Sequence, residues 1–142
     1  MSPRADPELR LALGMRGGVS LAVWIGGACA EIDAARRSTL AGSSKFWSAV
    51  IEHSAYSSVV VDVMAGASAG GLNGVVYATA LRHDFDMAEM RDTWLEVADV
   101  NRLRRTDPEW TSVFDGDGVF LRSVLERLKE LTRGRRVDGP AM

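Results

Sequence analysis

The segment from Ser57 to Leu81 constrains the fold more than any other part of the chain. Val59, Val60, Val61 and Val63 are β-branched, and the run Ser58–Met64 holds one charge, Asp62. Such a run predicts a strand over Ser57–Ala65, central in a parallel sheet and buried on both faces. Gly66-Ala67-Ser68-Ala69-Gly70-Gly71 follows it, then an apolar stretch through Leu72, Val75, Val76, Ala78, Ala80 and Leu81 that predicts a helix. Strand, tight glycine turn and helix in that order form half of a βαβ unit.

A second unit of the same kind stands upstream. Leu11–Met15 predicts a short strand ending at Arg16-Gly17-Gly18, and Val19–Arg37 predicts a helix. In that helix Leu21, Trp24, Ile25, Cys29 and Ile32 recur at helical spacing, while Glu31, Asp33, Arg36 and Arg37 form an end that turns to solvent. Gly26-Gly27 weakens the helix intrinsically and lets another element approach. Residues 1–10, MSPRADPELR, are polar, contain two prolines and read as a flexible leader.

Further on, Lys45–His53 and Val119–Leu131 predict helices, the latter amphipathic, and Met87–Val100 reads as helical or irregular. Residues 1–82 hold 13 of the charged side chains and residues 83–142 hold 23, the pattern of a buried sheet-centred front followed by solvated helices. Two clear strands are few for an open sheet. The chain therefore reads as an α/β domain represented by its front part, residues 11–142.

Composition excludes several function classes. A single cysteine, Cys29, excludes an intramolecular disulfide framework, and His53 and His83 are too few for a histidine-rich metal site. A formal net charge of -2 argues against a general nucleic-acid binder. The glycine loops lack both the G-x-G-x-x-G spacing and the lysine of a nucleotide-binding loop, so no cofactor is expected. The apolar stretch after the leader is long enough for a membrane test, but Arg16 and the pairs Gly17-Gly18 and Gly26-Gly27 interrupt it. Cytoplasmic location is expected, with room for peripheral membrane contact through the arginine groups near Arg104 and Arg135.

The chemistry is concentrated at Gly66-x-Ser68-x-Gly70, which fits the G-x-S-x-G nucleophile elbow. Residues two before and two after the serine nearly touch in such a turn, so glycine is required there, and the hydroxyl projects above the strand end. Gly17 and Gly18 end the other strand. In a parallel sheet both loops share one edge, where their N–H groups and that of Ala69 can converge on an oxyanion. The alternative is a structural turn in which Ser68 only caps its helix.

A proton acceptor is harder to find. His83 stands fifteen residues beyond Ser68, about 22 Å along a straight helix. His53 precedes the valine strand and belongs to its opposite end. A Ser-His-Asp triad is not supported, whereas a serine–carboxylate dyad stays open.

The segments LALGMRGGVSLAVWIGGACAEID at 11–33 and VDVMAGASAGGLNG at 61–74 resemble the N-terminal part of patatin-like acyl hydrolases. Weaker likeness continues through MRDTWLEVADVNRL and FDGDGVF. The resemblance implies a three-layer α/β/α domain with a mainly parallel sheet and a metal-free Ser-Asp dyad acting on lipid acyl esters. It makes Ser68 the nucleophile and Gly17 and Gly18 the oxyanion loop. The usual D-G-G-G-x-R-G opening is altered here to Met15-Arg16-Gly17-Gly18, so Arg16 inherits no role. The family's aspartate stands in an Asp-Gly pair on a later strand, normally well over a hundred residues past the serine. The pairs available are Asp138-Gly139, after Val137, and the loop pairs Asp115-Gly116 and Asp117-Gly118; the remaining alternative is that the base is absent from this chain. Two outcomes follow: a serine acyl hydrolase acting on a lipid or small acyl ester, or a catalytically dead fragment that works through interactions and self-associates at exposed sheet edges.

Overall fold

The computed structural model describes residues 7–18, 21–41, 44–106 and 112–134. Strand β1 (Glu8–Met15) leads through helices α1 (Leu21–Ala41) and α2 (Lys45–Glu52) to strand β2 (Ser58–Gly66), then helix α3 (Ala69–His83). A 3-10 turn (Met87–Met90) runs into α4 (Arg91–Val97) and α5 (Val100–Leu103). A π-helical turn (Gly116–Leu121) opens α6 (Arg122–Thr132).

The strands pair in parallel, from Glu8 opposite Ser58 to Met15 opposite Gly66. The register slips between Leu11 and Ala12, where Asp62 is the extra residue of β2 and takes both carboxylate oxygens to Arg10 Nη1 at 3.0 and 3.1 Å. β1 starts at Glu8, so Glu8, Leu9 and Arg10 belong to the sheet and not to the leader. Their backbone ladder to Ser58, Val59 and Val60 extends the strand through a segment in which Leu9 stands between two charged residues.

Alternation along the strands separates two faces. Leu11, Leu13 and Met15 of β1, with Val61 and Met64 of β2, pack against Ile25 and Cys29 of α1 and Val76, Tyr77 and Ala80 of α3. Phe85, in the connection after α3, and Met87, Met90, Trp94 and Val124 of the later helical segments close the core. On the opposite face Ala12, Gly14 and Ala65 are exposed, and Val63 is 56% exposed. β2 is thus buried on one face among the described residues, not on both. The expected α/β class is present, with the sheet and one helical layer of the three-layer arrangement.

Local chemistry explains the helix boundaries. Ser44 accepts from Trp47 N to start α2. Asp86 and Glu89 form a reciprocal capping box at the 3-10 turn, and Asp99 caps α5. Asp84, in the left-handed conformation, ends α3. Over Met87–Val100, read as helical or irregular, the chain forms the 3-10 turn and α4, and α5 starts at Val100. A second cap at Asp99 restarts the chain there, which periodicity alone does not reveal. Likewise, the helix expected from Val119 is preceded by a π turn that starts at Gly116, where Asp115 accepts from Gly118 N as the cap.

The polar end of α1 does not turn to solvent. Asp33 is fully buried and accepts from Arg36 Nε at 3.0 Å, Arg37 Nε at 2.9 Å and Met87 N at 3.3 Å. Arg37 also reaches Asp84 at 2.9 Å. This cluster ties α1 to the chain that follows α3. Conversely, Trp24, expected in the apolar stripe, is 69% exposed. It stands at a cavity of about 470 Å³ between α1 and β1, lined also by Leu13, Met15, Arg16, Ile25 and Cys29.

Candidate active site

The parallel register brings Met15 and Gly66 level, so the loops that follow both strands leave the sheet at the same edge. The ladder continues one step beyond the strands, with Ala67 N donating to Met15 O at 3.2 Å. Gly70 N then donates to Ala67 O at 3.0 Å and Leu72 N to Ser68 O at 2.9 Å, turning the chain directly into α3.

Space at this corner admits only glycine. A Cβ on Gly66 would lie 2.7 Å from Gly71 N, and one on Gly70 would lie 2.6 Å from the Met15 carbonyl carbon. Across the two loops, a Cβ on Gly17 would lie 2.7 Å from Ser68 Cβ and 2.8 Å from Ala67 O. The two glycine loops are therefore in direct contact, and the Gly17 backbone packs against the Ser68 side chain.

Ser68 has φ 52 and ψ -124. Among the described residues only Asp84 is another non-glycine residue at positive φ, and Asp84 has the ordinary left-handed ψ of 42. Ser68 does not; its dihedrals suit glycine, and holding a side chain there costs about 1–3 kcal/mol. The residue occupies the N-cap position of α3, yet its side chain makes no capping hydrogen bond. The capping alternative therefore fails in the usual sense, and the hydroxyl is left for another partner.

No hydrogen bond within the described residues takes up the N–H of Gly17, Gly18 or Ala69. Ala69 opens α3, where the first-turn amides and the helix dipole favour negative charge. One strained serine hydroxyl and three amides without a partner among the described residues thus lie on the loops of one sheet edge, donors of the kind an oxyanion would need.

The acid–base partner is not among the described groups joined to Ser68. His83 ends α3, and His53 caps the C-terminus of α2, its Nδ1 donating to Ala49 O at 2.8 Å. Asp62 is engaged by Arg10 on the sheet, and Asp115 by Gly118 N and Arg105. Asp138 lies outside the described residues. Cys29, the other nucleophilic side chain nearby in sequence, is buried at 2% exposure, and burial aided by Asp33 pushes its thiol up to about 11. A protonated thiol is a poor nucleophile at neutral pH.

Sequence reasoning missed two contributors. Asn73 is fully buried and donates through Nδ2 to Ala22 O and Ala69 O, each at 3.0 Å. Trp94 fills the space over Gly26, where a Cβ would lie 2.6 Å from the indole Cδ1. The Gly26-Gly27 pair signalled a close approach without saying by what; Gly26 meets it, whereas Gly27 has nothing within 4 Å.

The family model of the patatin-like phospholipases matches residues 13–137, which include both glycine loops. The chain belongs to that family. It is 32% identical over 146 aligned positions to the uncharacterized membrane protein Rv3479 of Mycobacterium tuberculosis, an alignment covering 89% of this chain and 14% of that protein. The chain therefore spans about one-seventh of the length of this relative. No solved structure matches. None of the described helices is long and apolar enough to cross a membrane.

Proposed function

We propose that this patatin-like chain carries the nucleophilic half of a serine acyl hydrolase. Ser68 is the nucleophile, and the N–H groups of Gly17, Gly18 and Ala69 form the oxyanion site. The substrate is a lipid or small acyl ester, reached in the cytoplasm or at a membrane surface. The observation that carries this reading is the strained, uncapped Ser68 held against the Gly17 backbone.

In the reaction a base takes the Ser68 proton as Oγ attacks the ester carbonyl carbon. The carbonyl electron pair moves onto oxygen, facing the loop amides. Collapse expels the alcohol, which recovers the proton, and leaves an acyl-serine that water then hydrolyses. Asp138 is the base candidate carried by this chain. The alternative is a base from a longer domain of which residues 11–142 are the front part. Hydrolysis of a p-nitrophenyl ester that disappears in S68A supports the reading; hydrolysis that survives in S68A removes Ser68 as its source.

A second reading, an inactive patatin-like unit that acts by association, is favoured by one observation. The sheet face formed by Ala12, Gly14, Val63 and Ala65 is exposed. Concentration-dependent association together with no ester turnover supports that reading, and S68A-sensitive turnover by a monomer defeats it.

A further inference from the structure

Two loops from different strands must keep their spacing to within a fraction of an ångström if they are to work on one carbonyl. Within the strands the sheet ladder sets that spacing. Beyond Met15 and Ala67 it does not, and each loop is then anchored by the helix that follows it. Asn73 lies one turn into α3, and its Nδ2 spans the two helix starts: one bond to Ala69 O, in the residue next to Ser68, and one to Ala22 O, in the first turn of α1 after the Gly17-Gly18 loop. With both N–H groups committed, Oδ1 is turned toward Gly26, where a Cβ would lie 3.1 Å from it. Oδ1 has no hydrogen-bond partner among the described residues, nor has the buried Trp94 Nε1, which would lie 2.8 Å from the same Cβ. A buried amide with an unmet acceptor is costly. An apolar residue would avoid that cost but would lose the link between the helices.

We propose that Asn73 is a positioning residue that fixes the Gly17-Gly18 loop relative to Ser68 by clasping the first turns of α1 and α3, with Gly26 kept bare so that the clasp and Trp94 fit. The proposal rests on the reading of Ser68 as nucleophile, and it concerns alignment rather than contact with substrate.

The test uses the whole chain and a fluorophosphonate. Serine Oγ bonds to phosphorus, fluoride leaves, and the hydroxyl proton passes to the base or solvent. Labelling kinetics separate probe binding, KI, from the bond-forming step, kinact. N73L removes both clasp bonds. G26A keeps Asn73 but places a methyl against Oδ1 and Trp94, and so supplies a second perturbation from α1. V124A serves as the comparison, because Val124 is a buried side chain of α6 whose truncation lowers stability while removing neither Asn73 hydrogen bond. N73L and G26A are expected to lower kinact by roughly tenfold or more, with KI changed by less than about threefold. V124A is expected to leave kinact near the wild-type value at a temperature where all the chains are folded. A folded N73L or G26A chain with wild-type kinact overturns the proposal, as does an equal fall in V124A. Failure of the wild-type chain to label removes the reading in which this chain itself presents an activated serine, and the positioning role with it.

Discussion

Replacing Ser68 by glycine and by alanine separates the backbone strain from the hydroxyl. At φ 52 and ψ -124 a residue with a Cβ carries a penalty of about 1–3 kcal/mol, which glycine does not. S68A retains the Cβ and loses only a hydroxyl that makes no capping bond, so its stability stays within about 0.5 kcal/mol of wild type. S68G relieves the strain but gives the unfolded chain extra freedom worth about 0.4–1 kcal/mol. The mid-range values leave S68G more stable than S68A by roughly 1.3 kcal/mol. For a chain of 142 residues that is a melting-temperature gain of roughly 2–6 °C. Urea denaturation followed by circular dichroism gives the free-energy difference, and a thermal scan gives the shift. If S68G melts at or below S68A, the turn is not strained at Ser68 and the argument from backbone geometry fails.

Three further perturbations have defined outcomes. D33A leaves Arg36 and Arg37 facing an empty buried site and frees Met87 N, so it lowers unfolding free energy by about 3 kcal/mol in the same urea assay. Cys29 holds its proton more tightly when folded, about 11 against an ordinary 9.0, so its contribution is complete below pH 9 and lost as pH rises through 11. C29A is expected to flatten the fall in melting temperature over that interval, the remaining slope coming from buried Tyr77, whose hydroxyl is also shifted upward by burial. G70A drives a methyl into the Met15 carbonyl and costs about 1–3 kcal/mol, while G27A, with open space at its Cβ, costs nothing measurable and gains helix propensity of up to about 1 kcal/mol.

The parts of this fold legible in the sequence are those where one residue type answers one geometric demand. Four valines give a strand in any context that buries one face, and Gly66, Ser68 and Gly70 encode a turn that leaves no room for a Cβ at its flanks. The parallel pairing then puts Gly17 beside Ser68, which the order of strand, loop and helix already implied. Asp33 was illegible for a different reason. A carboxylate followed by Arg36 and Arg37 looks like a solvated helix end, and only the backbone at Met87, 54 residues later, buries it. Asn73 was hidden in a run of small residues as an ordinary helical amide, because the carbonyl it reaches on α1 is 51 residues away. The exposure of Trp24 and Val63 follows from which faces of helix and sheet are covered, a property of neighbours and not of local pattern.

The central claim is that residue 68 presents an activated hydroxyl beside the Gly17-Gly18 backbone. Its most direct test is intact-mass spectrometry of the folded chain after exposure to a fluorophosphonate, with peptide mapping of the adduct. A single addition is expected, located on Ser68, abolished in S68A and by prior heat denaturation. A folded chain that stays unmodified, or an adduct that maps equally to Ser57, Ser58 and Ser68, contradicts it.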